Sequence, residues 1–327
     1  MPPPATDVLD APVTTIDYDA DESRPLQQIP TTEFKARWEQ VALAIFIVVP
    51  LLAVAAAGFV VWGNGLSLTD VVLSVVFYAV TLHGITVGFH RYFTHRSFKT
   101  SPALRAVLGA LGSAALEGPV IAWTAAHRRH HACSDKEGDP HSPHIGHDGE
   151  PTGPLAGLAH AHLGWIFLHT QRAANERYAP DLLDDPVTRA IDRTMLLWVL
   201  LGLALPFGLG VALTGTLVGG LTGLLWGGLV RIFVLHHFTY AINSLCHFFG
   251  RRRFRTGDES RNLAWLAPFT LGEAWHNNHH AFPTSAEHGL GRWEPDPSAL
   301  VIRSLERVGL VWDVRRPAAA KLGAKAL

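Results

Sequence analysis

Four long apolar runs stand out along the chain, and they occur in two closely spaced pairs. The first pair covers residues 41–62 and 66–89, and the second covers 194–213 and 217–238. A helix rises about 1.5 Å per residue, so runs of about 20 residues can cross the roughly 30 Å apolar core of a bilayer. Because only a short turn joins the runs of each pair, the pattern predicts an all-α integral membrane protein with two transmembrane hairpins.

The polar ends of the chain predict two tails around one membrane domain. Residues 1–38 are rich in Pro, Asp and Glu and lack the basic start and apolar run of a signal peptide, so we expect a disordered cytosolic tail there. A single membrane domain is expected over 39–316, and a C-terminal tail over 317–327.

One further segment, residues 103–126, is fairly apolar but broken by charge. Arg105 lies near its start, and Glu117 is followed by Gly118 and Pro119. A helix with these interruptions suits the membrane surface better than the membrane interior. We therefore expect an interfacial helix over 103–126 instead of a fifth crossing.

The basic residues predict the orientation. They lie in the N-terminal tail, between residues 90 and 193, and after residue 247, whereas the two short turns contain none and Arg231 falls inside the fourth run. The positive-inside rule then places both termini and the long middle segment in the cytoplasm. The excess of Arg over Lys, with much Ala and Gly, indicates a bacterial source and thus a bacterial plasma membrane. A net charge of −1 gives no general attraction to nucleic acid, and two cysteines cannot build a disulfide framework.

The 19 histidines concentrate in short motifs at the cytoplasmic ends of these runs. HRYFTH follows the second run, HRRHH follows the interfacial segment, and HNNHH lies in the C-terminal part. On a helix, positions i, i+3 and i+4 share one face, so each HxxHH motif presents three imidazoles to one side. NSLCH adds Asn243 and His247 one turn apart just beyond the fourth run. Nine histidines are about right for two metal ions, and an imidazole-rich shell suits Zn, Cu, Fe or Ni. We therefore expect a cytosolic helical cap on the two hairpins that carries a histidine-rich site for two metals. The nine are His90, His95, His127, His130, His131, His247, His276, His279 and His280.

The remaining histidines are assigned other roles or none. His83 is interpreted as a core residue of the second run. His236 and Tyr240 lie on the helical stripe that leads to His247, so His236 could orient a ligand or could simply form a hydrogen bond within the bundle. His141, His144 and His147 lie in an acidic stretch that is typical of a solvated loop, although His141 is kept as a residue that could support a ligand. Four histidines follow no usable pattern: His160, His162, His169 and His288.

These motifs, in this order, resemble the membrane fatty-acyl desaturases of the stearoyl-CoA Δ9 type and their bacterial relatives. The resemblance rests on HRYFTH, on HRRHH with SDKEGDPH after it, on NSLCH and on GEAWHNNHHAFP, and it extends from the first run to about Asp313. It implies that the nine histidines ligate two iron ions and that Asn243 holds a metal-bound water. Trp123 matches the CoA-dependent members, but they carry an arginine where this sequence has Ala125. Trp123, Arg128 and Arg129 are candidates for substrate contact, the arginines through phosphates or lipid headgroups.

The resemblance implies that O₂ and two electrons are used to introduce a cis double bond, at Δ9, into a saturated fatty-acyl chain, with acyl-CoA as the first choice of substrate and an acyl lipid as the second. Removing hydrogen from a methylene requires a redox-active metal, so iron fits and zinc does not, and no separate acid or base side chain is assigned. The sequence has no dinucleotide fingerprint and no cysteine set for an iron–sulfur cluster, so an NAD(P)H-dependent reductase or a ferredoxin is expected to donate the electrons.

Two alternatives stay open on the sequence alone. A histidine-box hydroxylase acting on alkanes or lipids would use the same metals and O₂. A non-enzymatic metal-binding membrane protein, such as a transporter, would need polar residues through the spans, where the runs offer little beyond Asp70, His83 and Arg231.

Overall fold

A computed structural model describes residues 33–146, 149–168 and 173–327. Its helices are, in chain order, α1 Glu33–Asn64, α2 Leu68–His83, α3 Pro102–Ser113, α4 Val120–Ala132, α5 Pro154–His162, α6 Asn175–Tyr178, α7 Pro180–Asp184, α8 Pro186–Arg193, α9 Met195–Thr214, α10 Leu217–Gly223, α11 Arg231–Leu245, α12 His276–Ala281, α13 Pro297–Arg307 and α14 Ala319–Lys325. A π-helical segment, Gly84–Thr94, continues α2, another, Leu224–Val230, joins α10 to α11, and a 3₁₀ turn covers Gly164–Phe167. Strands β1 Lys99–Thr100 and β2 Val311–Trp312 pair antiparallel, with Lys99 opposite Trp312.

Four helical stretches are long and apolar enough to cross a membrane, as the sequence predicted. They are Gln40–Gly63, Leu68–Thr94, Met195–Thr214 and Leu217–Leu245. Large apolar side chains project from them outward, including Phe59 at 81% exposure and Trp62 at 93%. In a soluble protein such a surface would be a liability, whereas in a bilayer it faces lipid chains. The mostly helical fold with four membrane spans is therefore confirmed.

The second and fourth spans continue past the predicted ends at residues 89 and 238. They reach Thr94 and Leu245 as unbroken helix, through π-helical segments. The prediction ended them where the apolar residues end, but a helix persists wherever its backbone hydrogen bonds and packing continue. The extensions matter because they carry functional motifs out of the membrane on rigid elements.

The expected interfacial helix over 103–126 is two helices, so that prediction was wrong in its continuity. α3 ends at Ser113 and α4 begins at Val120. Between them, Leu116 and Gly118 take positive φ angles of 64° and 109°. These left-handed backbone conformations end the helix, and Pro119 then begins the next one. The break lets α4 take its own direction.

Close backbone contacts fix the bundle at two glycines. A Cβ on Gly84 would lie 2.3 Å from the backbone of Gly112, so the span containing α2 crosses α3 at short range. A Cβ on Gly210 would lie 2.1 Å from the carbonyl oxygen of Gly219, so α9 and α10 form a tight hairpin. Small residues are what allow membrane helices to approach this closely.

Both predicted tails contain helix in the structure. α1 begins at Glu33, inside the expected tail 1–38, and residues 1–32 lie outside the described residues. At the other end, the expected tail 317–327 contains α14, which packs on the cap, the part of the described chain outside the four spans. Its Leu322 packs against Phe254 and Phe282, and Leu327 N–H donates a hydrogen bond to the Arg253 carbonyl at 3.0 Å. The C-terminal residues are thus part of the folded domain.

Candidate metal centre

Four structural elements bring the histidine motifs to one place above the spans. The π-helical segment carries His90 and ends just before His95, α4 carries the second motif, the end of α11 leads to His247, and α12 carries the third motif. All nine histidines that the sequence singled out have ring nitrogens in one of two clusters. The five-histidine group comprises His90, His95, His127, His131 and His279; the four-histidine group comprises His130, His247, His276 and His280.

The π-helical segment explains why HRYFTH works with a spacing of five. On an α-helix, residues five apart point about 140° away from each other. Here the backbone N–H of His95 donates to the carbonyl of His90 at 3.1 Å, which is the i to i+5 bond of a π-helix. The wider turn brings the two rings to one side, with centroids 4.9 Å apart. The HRYFTH pattern alone does not predict this π-helical turn.

In the five-histidine group, three Nε2–Nε2 distances are at hydrogen-bond length. His279 Nε2 lies 3.1 Å from that of His90 and 2.9 Å from that of His131. His131 Nε2 also lies 3.1 Å from that of His127. Lone pairs from four different rings therefore point into a common space, which is the arrangement of ligand atoms around an ion.

The four-histidine group is built in the same way from other elements. His247 Nε2 lies 2.9 Å from His276 Nε2. The ring of His280 lies 4.4 Å from that of His276 and 5.2 Å from that of His130, measured between centroids. Since His130 and His131 are adjacent on α4, and His279 and His280 are adjacent on α12, each helix supplies both groups. The two candidate metal sites are therefore neighbours.

Carboxylates orient the four-histidine group from outside. His130 Nδ1 lies 3.0 Å from Asp139, His247 Nδ1 lies 2.7 Å from Asp135, and His280 Nδ1 lies 2.9 Å from Asp258. An imidazole that donates Nδ1–H to a carboxylate keeps its Nε2 lone pair free for a metal, and the partner makes that nitrogen more basic.

Within the described ranges, the five-histidine group has one such carboxylate, Glu273. His90 Nδ1 lies 2.5 Å from Glu273, whose other oxygen accepts from the buried Arg91. Arg91 also donates to Asp296, so Glu273 is held between a histidine and an ion-pair network. The ring of His288 packs 4.5 Å from that of His279, with its Nδ1 3.1 Å from Glu273.

Ring nitrogens without a hydrogen-bond partner show that the two histidine groups fit metal ions. The Nε2 atoms of His95, His130 and His280 are buried and make no hydrogen bond with the described residues. A buried polar atom without a partner costs about 1–3 kcal/mol, so native structures rarely leave three close together. One cation coordinated in each group would satisfy all three, because His95 belongs to the five-histidine group and His130 and His280 belong to the four-histidine group. The donor set, imidazole nitrogens with no thiolate, fits a borderline transition metal.

Burial sets the protonation state of the cluster. It lowers the pKa of His127, His131 and His279 well below the ordinary value, and repulsion from neighbouring histidines adds to the effect. Neutral rings are the form that binds a metal. Although burial acts in the same direction on His247, the Asp135 carboxylate raises its pKa above the ordinary value. Burial also raises the pKa of Asp139 to about 7, and the neighbouring Asp135 contributes.

The acidic stretch after the second motif was interpreted wrongly as a solvated loop. His141 and Asp139 are buried, and the ring of His141 lies 4.3 Å from that of His130. His144 Nε2 lies 2.7 Å from the His247 carbonyl oxygen. The loop is therefore a wall of the site, and His141 does lie beside a candidate ligand. His147, like His169, lies outside the described residues.

The residues predicted to support the site from the spans are placed by the structure as follows. His236 Nε2 lies 3.0 Å from the Ala115 carbonyl oxygen, so of the two alternatives the hydrogen bond within the bundle is the one observed. Tyr240 lies beside His236, with ring centroids 5.6 Å apart. Asn243 is half-buried one turn before His247, and its role toward a metal-bound water stays a prediction. His83 Nδ1 lies 2.7 Å from the Ala79 carbonyl oxygen, consistent with a residue of the bundle.

Trp123 lies at the edge of the five-histidine group. Its ring stacks on that of His127, with centroids 5.2 Å apart and planes inclined by 18°. Its Nε1–H donates to Glu117 at 3.1 Å. Burial raises the pKa of Glu117 to about 7, against the opposing effect of the hydrogen bond from Trp123. Glu117, which the sequence analysis treated only as an interruption, is therefore a buried carboxyl group next to the site.

The two arginines proposed to meet substrate point inward. Arg128 is 2% exposed and donates to Asp181 and to the carbonyls of Phe93 and Thr94. Arg129 is 3% exposed and donates to the Gly138 carbonyl. Guanidinium groups engaged in this way hold α4 in the cap and offer no surface to a phosphate. We therefore no longer assign substrate contact to Arg128 and Arg129.

Three supporting residues were missed in the sequence: Glu273, Asp258 and His288. Glu273 lies in the same GEAWHNNHH string as the third motif, so a carboxylate three residues before a ligand was a usable signal. Asp258 and His288 stand alone in polar stretches, and only the fold brings them to the histidines.

Comparison with known proteins agrees with this geometry. A family model described as fatty acid desaturase matches residues 66–296. The chain is 43% identical over 284 residues to a hex-5-enoyl-[acyl-carrier protein] acetylenase of Moorena producens, covering 86% of this chain and 88% of the relative. It is 37% identical over 234 residues to an sn-1 stearoyl-lipid 9-desaturase of Anabaena variabilis, covering 71% and 78%. It is 36% identical over 248 residues to Delta-9 acyl-lipid desaturase 1 of Arabidopsis thaliana, covering 75% of each.

Proposed function

Since this chain belongs to the fatty acid desaturase family and is an oxidoreductase of fatty-acyl chains, we propose that it introduces a cis double bond at Δ9 of a saturated chain. The observation that carries the proposal is the convergence of nine imidazoles in two neighbouring groups, within each of which the ring nitrogens lie close together. In the overall reaction, O₂, two electrons and two protons combine with two hydrogens of the acyl chain to give a double bond and two waters.

Two iron ions would be held by the histidines, one in each group, with Asn243 beside them. Bound there, they would supply the oxidising power toward O₂ that no side chain possesses. The protein's own residues do the rest. Asp135, Asp139, Asp258 and Glu273 fix the tautomers of the ligands, and burial keeps bulk water from the site.

The acyl chain would lie among the spans, and the methylenes that react would lie beside Trp123. Trp123 contacts Phe89 and His127, with ring centroids 5.7 Å and 5.2 Å away, so it presents an apolar wall at the five-histidine group. Glu117 holds the indole by its N–H. A chain positioned against a fixed wall exposes one pair of methylenes to the site, so the path length from the polar head selects the position of the double bond.

For the acyl carrier we favour a membrane lipid over CoA, which the sequence analysis put first. Arg128 and Arg129, which could have met CoA phosphates, are buried in the cap. Several similar proteins are named for acyl-lipid substrates. The site would face the cytoplasm of a bacterial plasma membrane, with electrons from a ferredoxin or an NAD(P)H-dependent reductase.

A second candidate function is suggested by the 43% identity to the acetylenase, whose name specifies an acyl-carrier-protein substrate. In that case the preferred substrate would be a short chain that already carries a double bond. The same site would form the triple bond, because removal of two further hydrogens again requires one O₂ and two electrons.

Product analysis of iron-loaded protein tests these proposals. The protein, in nanodiscs with dithionite as reductant, is supplied separately with a stearoyl phospholipid, stearoyl-CoA and hex-5-enoyl acyl carrier protein, and products are mapped by mass spectrometry. We expect a cis Δ9 bond in the phospholipid. A hydroxylated product would favour the hydroxylase, a triple bond in the short chain the second candidate, and no product from any substrate would refute the desaturase proposal.

A further inference from the structure

A cavity of about 580 Å³ lies between the residues that follow the third histidine motif and the C-terminal segment. One side is formed by Ala281 to Ser285, and the other by residues from Arg315 to Lys325, which include α14. The cavity is separate from the two histidine groups and from the membrane spans. Nothing in the proposed chemistry at the histidines requires it.

The cavity carries a positive charge. Of the described residues that line it, four are basic and none is acidic. Arg316 is neutralised by contacts with Glu287 and Glu306 at 2.7 Å and 2.5 Å. Among the described residues, Arg315, Lys321 and Lys325 have no carboxylate within ion-pair distance. A concave basic surface attracts an acidic partner and speeds its association.

One side of the cavity is connected through the backbone to both histidine groups. Ala281 and Phe282 follow His279, of the five-histidine group, and His280, of the four-histidine group. The backbone N–H of Phe282 donates to the His279 carbonyl at 3.0 Å. Lys325 Nζ donates to the Ala281 carbonyl at 2.7 Å and lies over the Phe282 ring. A few covalent and hydrogen bonds thus connect this surface to one candidate ligand of each metal.

We propose that an acidic one-electron carrier protein of the ferredoxin class docks at this basic cavity and delivers electrons through the segment from Phe282 to His279. The proposal rests on the desaturase function proposed above. Each docking oxidises one carrier by one electron, so two carriers are oxidised for every double bond formed. O₂ takes up those two electrons, two protons and the two hydrogens of the acyl chain, and leaves as two waters.

Charge complementarity and location favour this occupant over an anionic lipid or a free phosphate. Either of those would be attracted by the same cations, but neither gains anything from a position directly behind the third histidine motif. An electron carrier does, because its transfer rate depends on its distance from the metals.

Charge reversal at two lining residues tests the proposal. Lys321 is exposed on α14, so Lys321→Glu should leave the packing intact. Arg315→Glu should also be tolerated, because the backbone of Arg315 keeps its hydrogen bonds with Ser97 and Ala286. Arg177→Glu, an exposed arginine on α6 in a different part of the cap, is the matched control. Each iron-loaded variant is assayed in phosphatidylcholine nanodiscs with two reductants: dithionite, and an acidic [2Fe–2S] ferredoxin with its NADPH-dependent reductase.

We expect KM for the ferredoxin to rise on the order of tenfold in each lining variant, and the rate of the unaltered protein to fall with added salt. Desaturation driven by dithionite, and both assays of Arg177→Glu, should stay unchanged. An unaltered KM for ferredoxin would overturn the docking proposal, as would a loss in both assays, which would indicate a structural role. Absence of product with dithionite from the unaltered protein would instead refute the proposed function.

Discussion

The two histidine groups share their helices but differ in what lies behind them. In the four-histidine group, three of the four rings donate Nδ1–H to a carboxylate: Asp139, Asp135 or Asp258. In the five-histidine group the ring of His90 donates to Glu273, and no other ring of that group is paired with a carboxylate of the described residues. The five-histidine group instead lies against Trp123 and His288.

This difference indicates a division of labour. A carboxylate behind an imidazole fixes its tautomer and raises its basicity, and loss of one typically costs about 10–100-fold in metal affinity. We therefore expect the four-histidine group to bind its metal more tightly. The five-histidine group, with more ligands but fewer supports and with the proposed acyl wall beside it, should be the more labile and the closer to substrate.

Removal of one ligand should have the largest effect. His279→Ala deletes the ring whose Nε2 contacts both His90 and His131, so desaturation should fall below detection. Membrane insertion and the four-histidine group should remain. Product assays and metal analysis measure both, with His237→Ala, a half-buried histidine outside both groups, as control. Normal turnover by His279→Ala would contradict the ligand assignment.

The helix shared by both groups offers the next test. Arg128 is buried in α4 between His127 of one group and His130 of the other, and its partner is Asp181. Breaking a buried ion pair by removing one partner costs about 3–5 kcal/mol. Arg128→Met should therefore lower the thermal unfolding midpoint and weaken metal binding in both groups alike. The exposed Arg177→Met should do neither, and an effect of Arg128→Met on one group alone would show that α4 does not couple them.

The sequence predicts those parts of this arrangement that depend on residues close together in the chain. The spacing i, i+3, i+4 places three imidazoles on one helix face by local geometry alone, so the second and third motifs were found. The first motif was found as a pattern, but the π-helical turn that unites His90 and His95 was not. The four spans were visible in the apolar runs, whereas their helical extensions contain too few apolar residues to be read as membrane segments.

Long-range contacts could not be inferred. Asp135 reaches His247, which is 112 residues away, so its acidic loop resembled an ordinary solvated one. The same reason explains the errors over Arg128 and Arg129, because an arginine next to a ligand motif gives no sign of whether it points outward or into the cap. The short C-terminal sequence also contains no local signal that it packs behind α12.

Two amide substitutions sharpen the comparison between the groups. Asp258→Asn and Glu273→Gln each remove the charge behind one ligand while keeping its shape. Each should weaken metal binding at its own group by about 10–100-fold, as measured by competition with a chelator. Glu273→Gln should leave the four-histidine group unaffected. Equal losses at both groups from either substitution would mean that the groups bind metal as one unit.

The smallest expected effect concerns Glu117, on the five-histidine side. Burial raises its pKa to about 7 from the ordinary 4.5, so the folded protein binds this proton more tightly than the unfolded chain does. Ionisation of Glu117 therefore lowers stability as the pH rises from 4.5 to about 7, and above that pH the loss stays constant. Glu117→Gln should match the unaltered protein below this window and melt at a higher temperature above it. Parallel pH profiles of the melting temperature would contradict the assignment.

Stepwise removal of iron tests most directly whether the two histidine groups bind metal with different affinities. Fully loaded protein is treated with increasing chelator, and bound iron per chain is followed together with Mössbauer spectra. The account predicts two irons per chain, of which one leaves first, and a His279→Ala protein that lacks this first-released iron. A single iron in the loaded protein, or the release of both in one step, would contradict it.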